Sequence, residues 1–242
     1  MTDSRLANEI AHGKAILEKG EEAWNWSSPT GRMRFLRRCQ FFKDALGNTG
    51  KQVLEIGCGT GLFTQELAQT NNQILSIDIS AELIQAAKAR TLSGNVRFVV
   101  ADACRTGLPP SSFDFVVGSS CLHHLEVNAA LKEFHRVLKP GGKIIFTEPN
   151  MLNPQIALQK NVPFLKKWAL DSPDETAFFK NAIQKKITTC GFADVRAVPF
   201  DFLHPFIPGP VAAFLEKPFI FLEKVPLLRE IAGSLLITAA KP

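Results

Sequence analysis

The chain has 242 residues, 45% of them hydrophobic and 21% charged, and a formal net charge of +5. That balance is ordinary for a globular chain able to bury a sizeable core, and no low-complexity segment or internal repeat departs from it. The mild positive charge admits a polyanionic partner without requiring one. The five cysteines are odd in number, with no CxxC pair, and the opening residues carry no long apolar run. A reduced, cytoplasmic compartment without a secretory leader is expected. There is no tyrosine against 19 phenylalanines, so no tyrosine serves as an acid or base.

Residues from about 5 to 46 show helical apolar spacing, broken at Trp24–Gly31 by a cluster of turn formers. From Gln52 the pattern becomes short apolar runs alternating with amphipathic stretches. The runs are Val53–Ile56, Ile74–Ile79, Val96–Val100, Phe113–Val117 and Lys143–Phe146, with helices expected over Leu62–Gln69, Ala81–Arg90 and Ala129–Leu138. Pro140-Gly141-Gly142 is expected to end the last of these and turn the chain back. Residues 151–172 read as an irregular insertion with Pro154 and Pro163, followed by a helix at about 174–189. Strands at about 194–200 and 234–240 close the chain, and five prolines break the stretch 203–230 into a pair of short helices. The expected fold is α/β, a seven-stranded, mostly parallel sheet with helices on both faces. A helical cap over 1–48 precedes a domain over 49–242 that carries insertions at 151–172 and 203–230.

The most informative motif is Val53-Leu54-Glu55-Ile56-Gly57-Cys58-Gly59-Thr60-Gly61, a strand running into a glycine-rich turn and then a helix. Its glycines let a ligand approach the backbone where a Cβ would clash. A dinucleotide fingerprint is G-x-G-x-x-G, but here the spacing is G-x-G-x-G, with Leu62 at the third dinucleotide position. A tight turn with no ligand is the plain alternative. Asp78 ends the second strand, where an acidic side chain suits ribose hydroxyls; Ser80 fits the cap of the next helix, which leaves Asp78 for the ligand. Asp102 follows the third strand, as a ligand contact or as a turn residue satisfying local backbone. The fourth strand leads through Ser119 to Cys121-Leu122-His123-His124, and Phe134–Gly142 contains Arg136-Val137-Leu138-Lys139-Pro140-Gly141-Gly142.

These four motifs, over about residues 50–150, resemble those of class I S-adenosylmethionine-dependent methyltransferases, of the small-molecule, UbiE-like, Methyltransferase-11 type. The resemblance implies a Rossmann-like fold and S-adenosyl-L-methionine as cofactor, with S-adenosyl-L-homocysteine as product. It also implies a cofactor-binding set of Glu55, Gly57, Cys58, Gly59, Gly61, Asp78, Ile79, Asp102, Ala103 and Ser119. In that family an acidic group at Asp102 faces the adenine amino group, beside a backbone amide.

An acceptor hydroxyl needs something to take its proton, and histidine is the side chain best poised near neutral pH. His123 is the expected base, since related sequences suggest a structural task for His124. Cys121, His123 and His124 crowd three ligands into four residues, poor zinc geometry, so no metal is expected. Glu148 either reaches the substrate, orients a histidine, or is a turn residue before Pro149. Trp24, Trp26, Arg32, Arg34, Arg37 and Arg38 are either a solvated helix face with two packed rings, or a lid with arginines for an anionic group on the acceptor. Phe202–Leu228 is too interrupted to span a bilayer; it reads as a hydrophobic substrate cap or an interfacial patch. The expected function is therefore methyl transfer to oxygen or carbon of a small-molecule or lipid-like acceptor, with peripheral membrane contact admitted. A nucleic-acid methyltransferase and a non-catalytic cofactor-binding protein are the alternatives. Nucleic acid is disfavoured by the absence of an Asn/Asp-Pro-Pro-aromatic signature and of an RNA-binding module.

Overall fold

The computed structural model describes residues 25–168 and 175–242, together with Ile10, Gly13 and Leu17. Most of the helix expected before Asn25, including Trp24, lies outside the described residues. The first helix lying wholly among the described residues, α1 (Pro29–Leu46), starts where the turn formers end. Ser28 accepts the Gly31 N–H, and Pro29 occupies the first turn, where its missing N–H costs nothing. Phe35, Cys39, Phe42 and Leu46 recur at helical spacing and are all buried.

The alternation predicted from Gln52 onward forms β1 (Gln52–Ile56), α2 (Leu62–Leu67), β2 (Gln73–Asp78), α3 (Ala81–Arg90), β3 (Val96–Val100), β4 (Phe113–Ser119), α4 (Val127–Val137) and β5 (Leu138–Pro149). β6 (Ala193–Phe200) and β7 (Ser234–Ala240) complete one seven-stranded sheet in the order β3-β2-β1-β4-β5-β7-β6. The first five strands are parallel, and β7 runs antiparallel to both its neighbours. The expected seven-stranded, mostly parallel sheet is therefore present.

Both faces of the sheet are covered, as a parallel sheet requires. On one face Phe42 and Leu46 of α1 join Val53, Leu67, Ile74 and Ile145 in a single apolar cluster. On the other, Phe134 and Val137 of α4 pack with Leu54, Ile144, Ile183 and Ile237. β3 is an edge strand, and Val99 and Val100 are exposed there despite their apolar character.

Three expectations need correction. Lys139–Gly142 do not form a free turn after α4. They bulge within β5, where Leu138 pairs with Phe113 and Lys143 already pairs with Phe115. The stretch 151–172 is not irregular in its described part: it holds α5 (Pro154–Asn161) and α6 (Pro163–Trp168). Both prolines open helices rather than break them, and Asn153 caps α5 by accepting from Gln155 and Ile156. The helix expected from 174 begins only at Lys180 (α7, Lys180–Thr189), because Phe178 is extended and bridges to Asn150. The crossover between β6 and β7 contains α8 (Gly209–Leu222) and the single turn α9 (Pro226–Arg229). Among the described residues no helix is long and apolar enough to cross a membrane.

Candidate functional site

The strand order reverses between β1 and β4, and a parallel sheet opens its ligand crevice at the carboxyl ends flanking such a reversal. A cavity of about 590 Å3 lies there. The turn after β1 forms one wall. Gly57 and Gly59 have φ of +63° and +54°, in the left-handed region that suits glycine. A Cβ on Gly57 would stand 2.7 Å from the Cβ of Cys121, whereas one on Gly59 would meet no protein atom within 4 Å and would fill the cavity instead. Asp78 shapes this turn by accepting the Gly59 N–H at 2.9 Å through Oδ2 and the Ser80 N–H at 3.0 Å through Oδ1. It is thus not left over for a ligand alone, although it lines the cavity. Ser80 does cap α3, accepting from Leu83.

Of the ten expected cofactor contacts, Gly57, Cys58, Gly59, Asp78, Ile79, Ala103 and Ser119 line the cavity. Glu55, Gly61 and Asp102 do not. Glu55 is buried beneath the turn, where it accepts hydroxyl hydrogen bonds from Thr64 (2.6 Å) and Ser76 (2.7 Å); burial pushes its carboxyl above the ordinary value. It ties α2 to β2. Gly61 is a packing glycine, since its Cβ would press on Ala87 of α3 at 3.0 Å. Asp102 accepts the Cys104 N–H at 2.8 Å, the local turn role weighed as its alternative.

The opposite wall comes from distant parts of the chain. After β4 the backbone reverses at Ser120 (φ +53°) into the turn Leu122–His124. Glu148, at the end of β5, organises that turn: it accepts the Cys121 and Leu122 N–H groups at 3.1 and 2.9 Å and binds His123 Nδ1 at 2.5 Å. Glu175 approaches the same imidazole from the other side, 3.3 Å from Nε2, and lies 3.9 Å from His124 Nε2. Lys160 of α5 binds Glu175 in turn. Burial alone would lower the His123 pKa, but Glu148 and then Glu175 outweigh it and raise it to about 9. Burial would raise Glu175, yet the hydrogen bond to His123 and the basic groups packed around it, Lys160 among them, hold it well below the carboxylate range.

At neutral pH His123 therefore carries both protons, each directed at a carboxylate. It has no lone pair with which to accept a proton, which disfavours the expected role of His123 as general base. The metal question changes as well. The group that gathers is His123, His124 and Glu175, whose ligand atoms lie within 4.8 Å of one another, and not Cys121. The Lys160 ammonium already meets Glu175 as a cation would.

The arginines of α1 each face a carboxylate, although Arg32 is also exposed to solvent. Arg34 and Arg38 both bind Asp201 at 2.8 Å, Arg37 binds Glu223, and Arg32 lies 3.5 Å from Glu66. Arg34 and Arg38 line the cavity beside Trp26. Burial lowers the Arg38 pKa to about 10, against the pull of Asp201, and its Nε is buried with no hydrogen-bond partner among the described residues. Of the phenylalanines in the segment expected to cap a substrate, Phe202 and Phe206 line the cavity, with Leu203 and Pro205 beside them; Phe214 and Phe221 are exposed.

Sequence reasoning missed Glu175, Lys160 and Asp201 as parts of the site. They lie in loops and insertions with no motif spacing, and only the carboxyl-edge position of their elements pointed to them.

A family model described as a methyltransferase domain matches residues 54–146. An uncharacterised methyltransferase of Mycobacterium tuberculosis is 34% identical over 46% of this chain and 58% of its own length. A ubiquinone biosynthesis O-methyltransferase of Idiomarina loihiensis is 30% identical over 62% of this chain and 67% of its own. The chain thus spans little more than half the length of the first of these relatives. A solved S-adenosylmethionine-dependent methyltransferase of Thermotoga maritima shares the fold with a TM-score of 0.70 at 20% identity, over 97% of this chain and all of that one.

Proposed function

The chain belongs to the S-adenosylmethionine-dependent methyltransferases, and on that premise we propose that it methylates a hydroxyl of a small, largely apolar acceptor. One observation carries this reading: a single cavity runs from the Gly57–Gly59 turn to the imidazole–carboxylate cluster and the apolar residues at 202–206. Relatives named ubiquinone biosynthesis O-methyltransferases support oxygen as the methylated atom and an apolar acceptor body. Such an acceptor partitions into lipid, so peripheral membrane contact belongs to the same reading.

The residues fit S-adenosylmethionine. The open space over Gly59 is a cradle that a Cβ would fill, and the Nε of Arg38, with no hydrogen-bond partner among the described residues, is a buried donor suited to a carboxylate. Gly57, Cys58, Gly59, Asp78, Ile79, Ala103 and Ser119 would hold the cofactor. Bound there, it supplies a methyl group on a positively charged sulfur and leaves as S-adenosylhomocysteine. The chain's own part is to place the acceptor oxygen and take its proton. His123, clamped by Glu148 and Glu175, is a positioning residue that presents a fixed positive charge. His124 lines the same cavity and is the group to which the hydroxyl proton passes.

Calorimetry with S-adenosylmethionine, S-adenosylhomocysteine and NAD tests the cofactor half, and binding of NAD alone overturns it. Release of S-adenosylhomocysteine over a panel of apolar phenols and alcohols tests the acceptor half. His124→Ala should lower turnover by about 10²–10⁴-fold, the usual contribution of a general base, while leaving cofactor affinity unchanged. Full turnover in that variant sinks the assignment of His124.

A further inference from the structure

The crossover between β6 and β7 presents its apolar side chains on the face that a water-soluble helix makes polar. Within α8 only Ala212 is buried. Val211, Phe214, Pro218 and Phe221, spaced three, four and three residues apart, are all exposed. That spacing is one side of a helix. Phe214 is 79% exposed and Phe221 64%, and Leu227 and Leu228 extend the apolar surface past the helix end. An apolar surface of this kind on a soluble domain marks a binding face.

The charges around the stripe are sorted by sign. Lys217 and Lys224 are exposed. The nearby acids are turned to partners in the fold: Glu223 binds Arg37 through both oxygens, and Glu230 binds Lys180. The outward charge bordering the phenylalanines is therefore basic, with Glu216 as its one nearby counterweight. Three residues before the start of α8, Phe206 is 67% exposed and lines the cavity at the same time. The neighbouring α5–α6 hairpin, tied to this segment by Asn153 donating to the Ile231 carbonyl, exposes Leu158 and Phe164.

We propose that this stripe docks the protein on an anionic lipid surface, so that the acceptor passes from lipid into the cavity without crossing water. The proposal rests on the apolar-acceptor reading and adds the surface that delivers such a molecule. A lipid surface that meets the exposed ring of Phe206 touches the cavity lining and is itself the source of the acceptor. Aromatic rings on one side with lysines at the border are the composition of an interfacial helix.

Co-sedimentation of the full chain with phosphatidylglycerol–phosphatidylcholine vesicles, and with phosphatidylcholine alone, tests this. Binding to the anionic vesicles, weakening with salt, is the expected result. The double variant Phe214→Ser/Phe221→Ser should weaken it by about tenfold or more, since both rings lose apolar burial in the interface. Lys217→Glu/Lys224→Glu should weaken binding to anionic vesicles and leave neutral ones unaffected. Both pairs are at exposed positions, and circular dichroism with thermal unfolding confirms the fold. Wild-type protein that ignores anionic vesicles, or a double-serine variant that binds them equally well, overturns the proposal. So does a dimer that the serine substitutions split while vesicles stay unbound, which makes the stripe a contact between copies. Calorimetry with S-adenosylmethionine on the same samples separates the two readings. Cofactor binding without vesicle binding overturns docking alone, and vesicle binding without cofactor binding overturns methyl transfer alone.

Discussion

The two walls of the cavity are built differently. The glycine wall comes from one stretch of chain, β1 to β2, and its working atoms are mostly backbone. Asp78 reaches Gly59 across only 19 positions of sequence. The histidine wall assembles Glu148, His123, Lys160 and Glu175 from four separate elements, and its working atoms are side chains held by one another's charge. A backbone cradle tolerates little variation in residue type, since added volume enters the ligand's space. A charge cluster depends on every partner being present, since a buried charge that loses its counter-ion is costly.

Gly59→Val probes the first wall with the largest expected effect. A side chain there projects into open cavity, so S-adenosylmethionine binding measured by calorimetry should be lost while the fold persists. Gly59→Asn, which tolerates a positive φ far better, should lose binding too; if it binds normally, strain and not bulk explains the valine result.

Glu148→Ala probes the second wall. It leaves His123 facing one carboxylate and strips the Cys121 and Leu122 N–H groups of their acceptor. Loss of one partner of a buried pair typically costs about 3–5 kcal/mol, to be read from denaturant unfolding. A loss under about 1 kcal/mol, the range of an exposed pair, would mean the cluster is solvated.

The pH dependence should separate the walls further. The His123 pKa is raised from 6.5 to about 9 in the folded protein, so its contribution is fully present below about pH 6.5 and fades as pH rises towards 9. Within that window stability should fall by at most about 1.4 kcal/mol per pH unit from this group, one proton being released on unfolding. His123→Gln should flatten that slope, whereas changes at the glycine turn should leave it in place. A wild-type profile that is flat over the window contradicts the clamped imidazolium.

The smallest effect is expected at Asp78. Asp78→Ala unpairs the Gly59 and Ser80 N–H groups and should weaken cofactor binding by about 1–3 kcal/mol, the cost of leaving polar partners unsatisfied. Unchanged affinity would mean that the turn holds the cofactor without Asp78 and that Asp78 makes no contact with it.

What was legible from residues alone follows the same division. The alternation of apolar runs and amphipathic helices determined the sheet, because strand and helix periods are local properties of the chain. The glycine turn was legible because backbone geometry restricts residue type at fixed spacing. Spacing did not distinguish a glycine that faces the ligand from one that packs a helix. Gly59 and Gly61 look alike in sequence, and only the position of Ala87 separates them. The present partners of Glu55 and Asp102 were out of reach for the same reason, since which way a strand-end carboxylate turns depends on the hydroxyls and amides folded around it. The protonation of His123 lay further out of reach. Histidine type and position suggested a base, but two carboxylates brought from β5 and from the loop before α7 decide its charge, and electrostatics acts through distance in space. The outward turn of Phe214 and Phe221 likewise belongs to the tertiary structure alone, because composition shows that a segment is apolar and packing decides which of its faces is left to meet a partner.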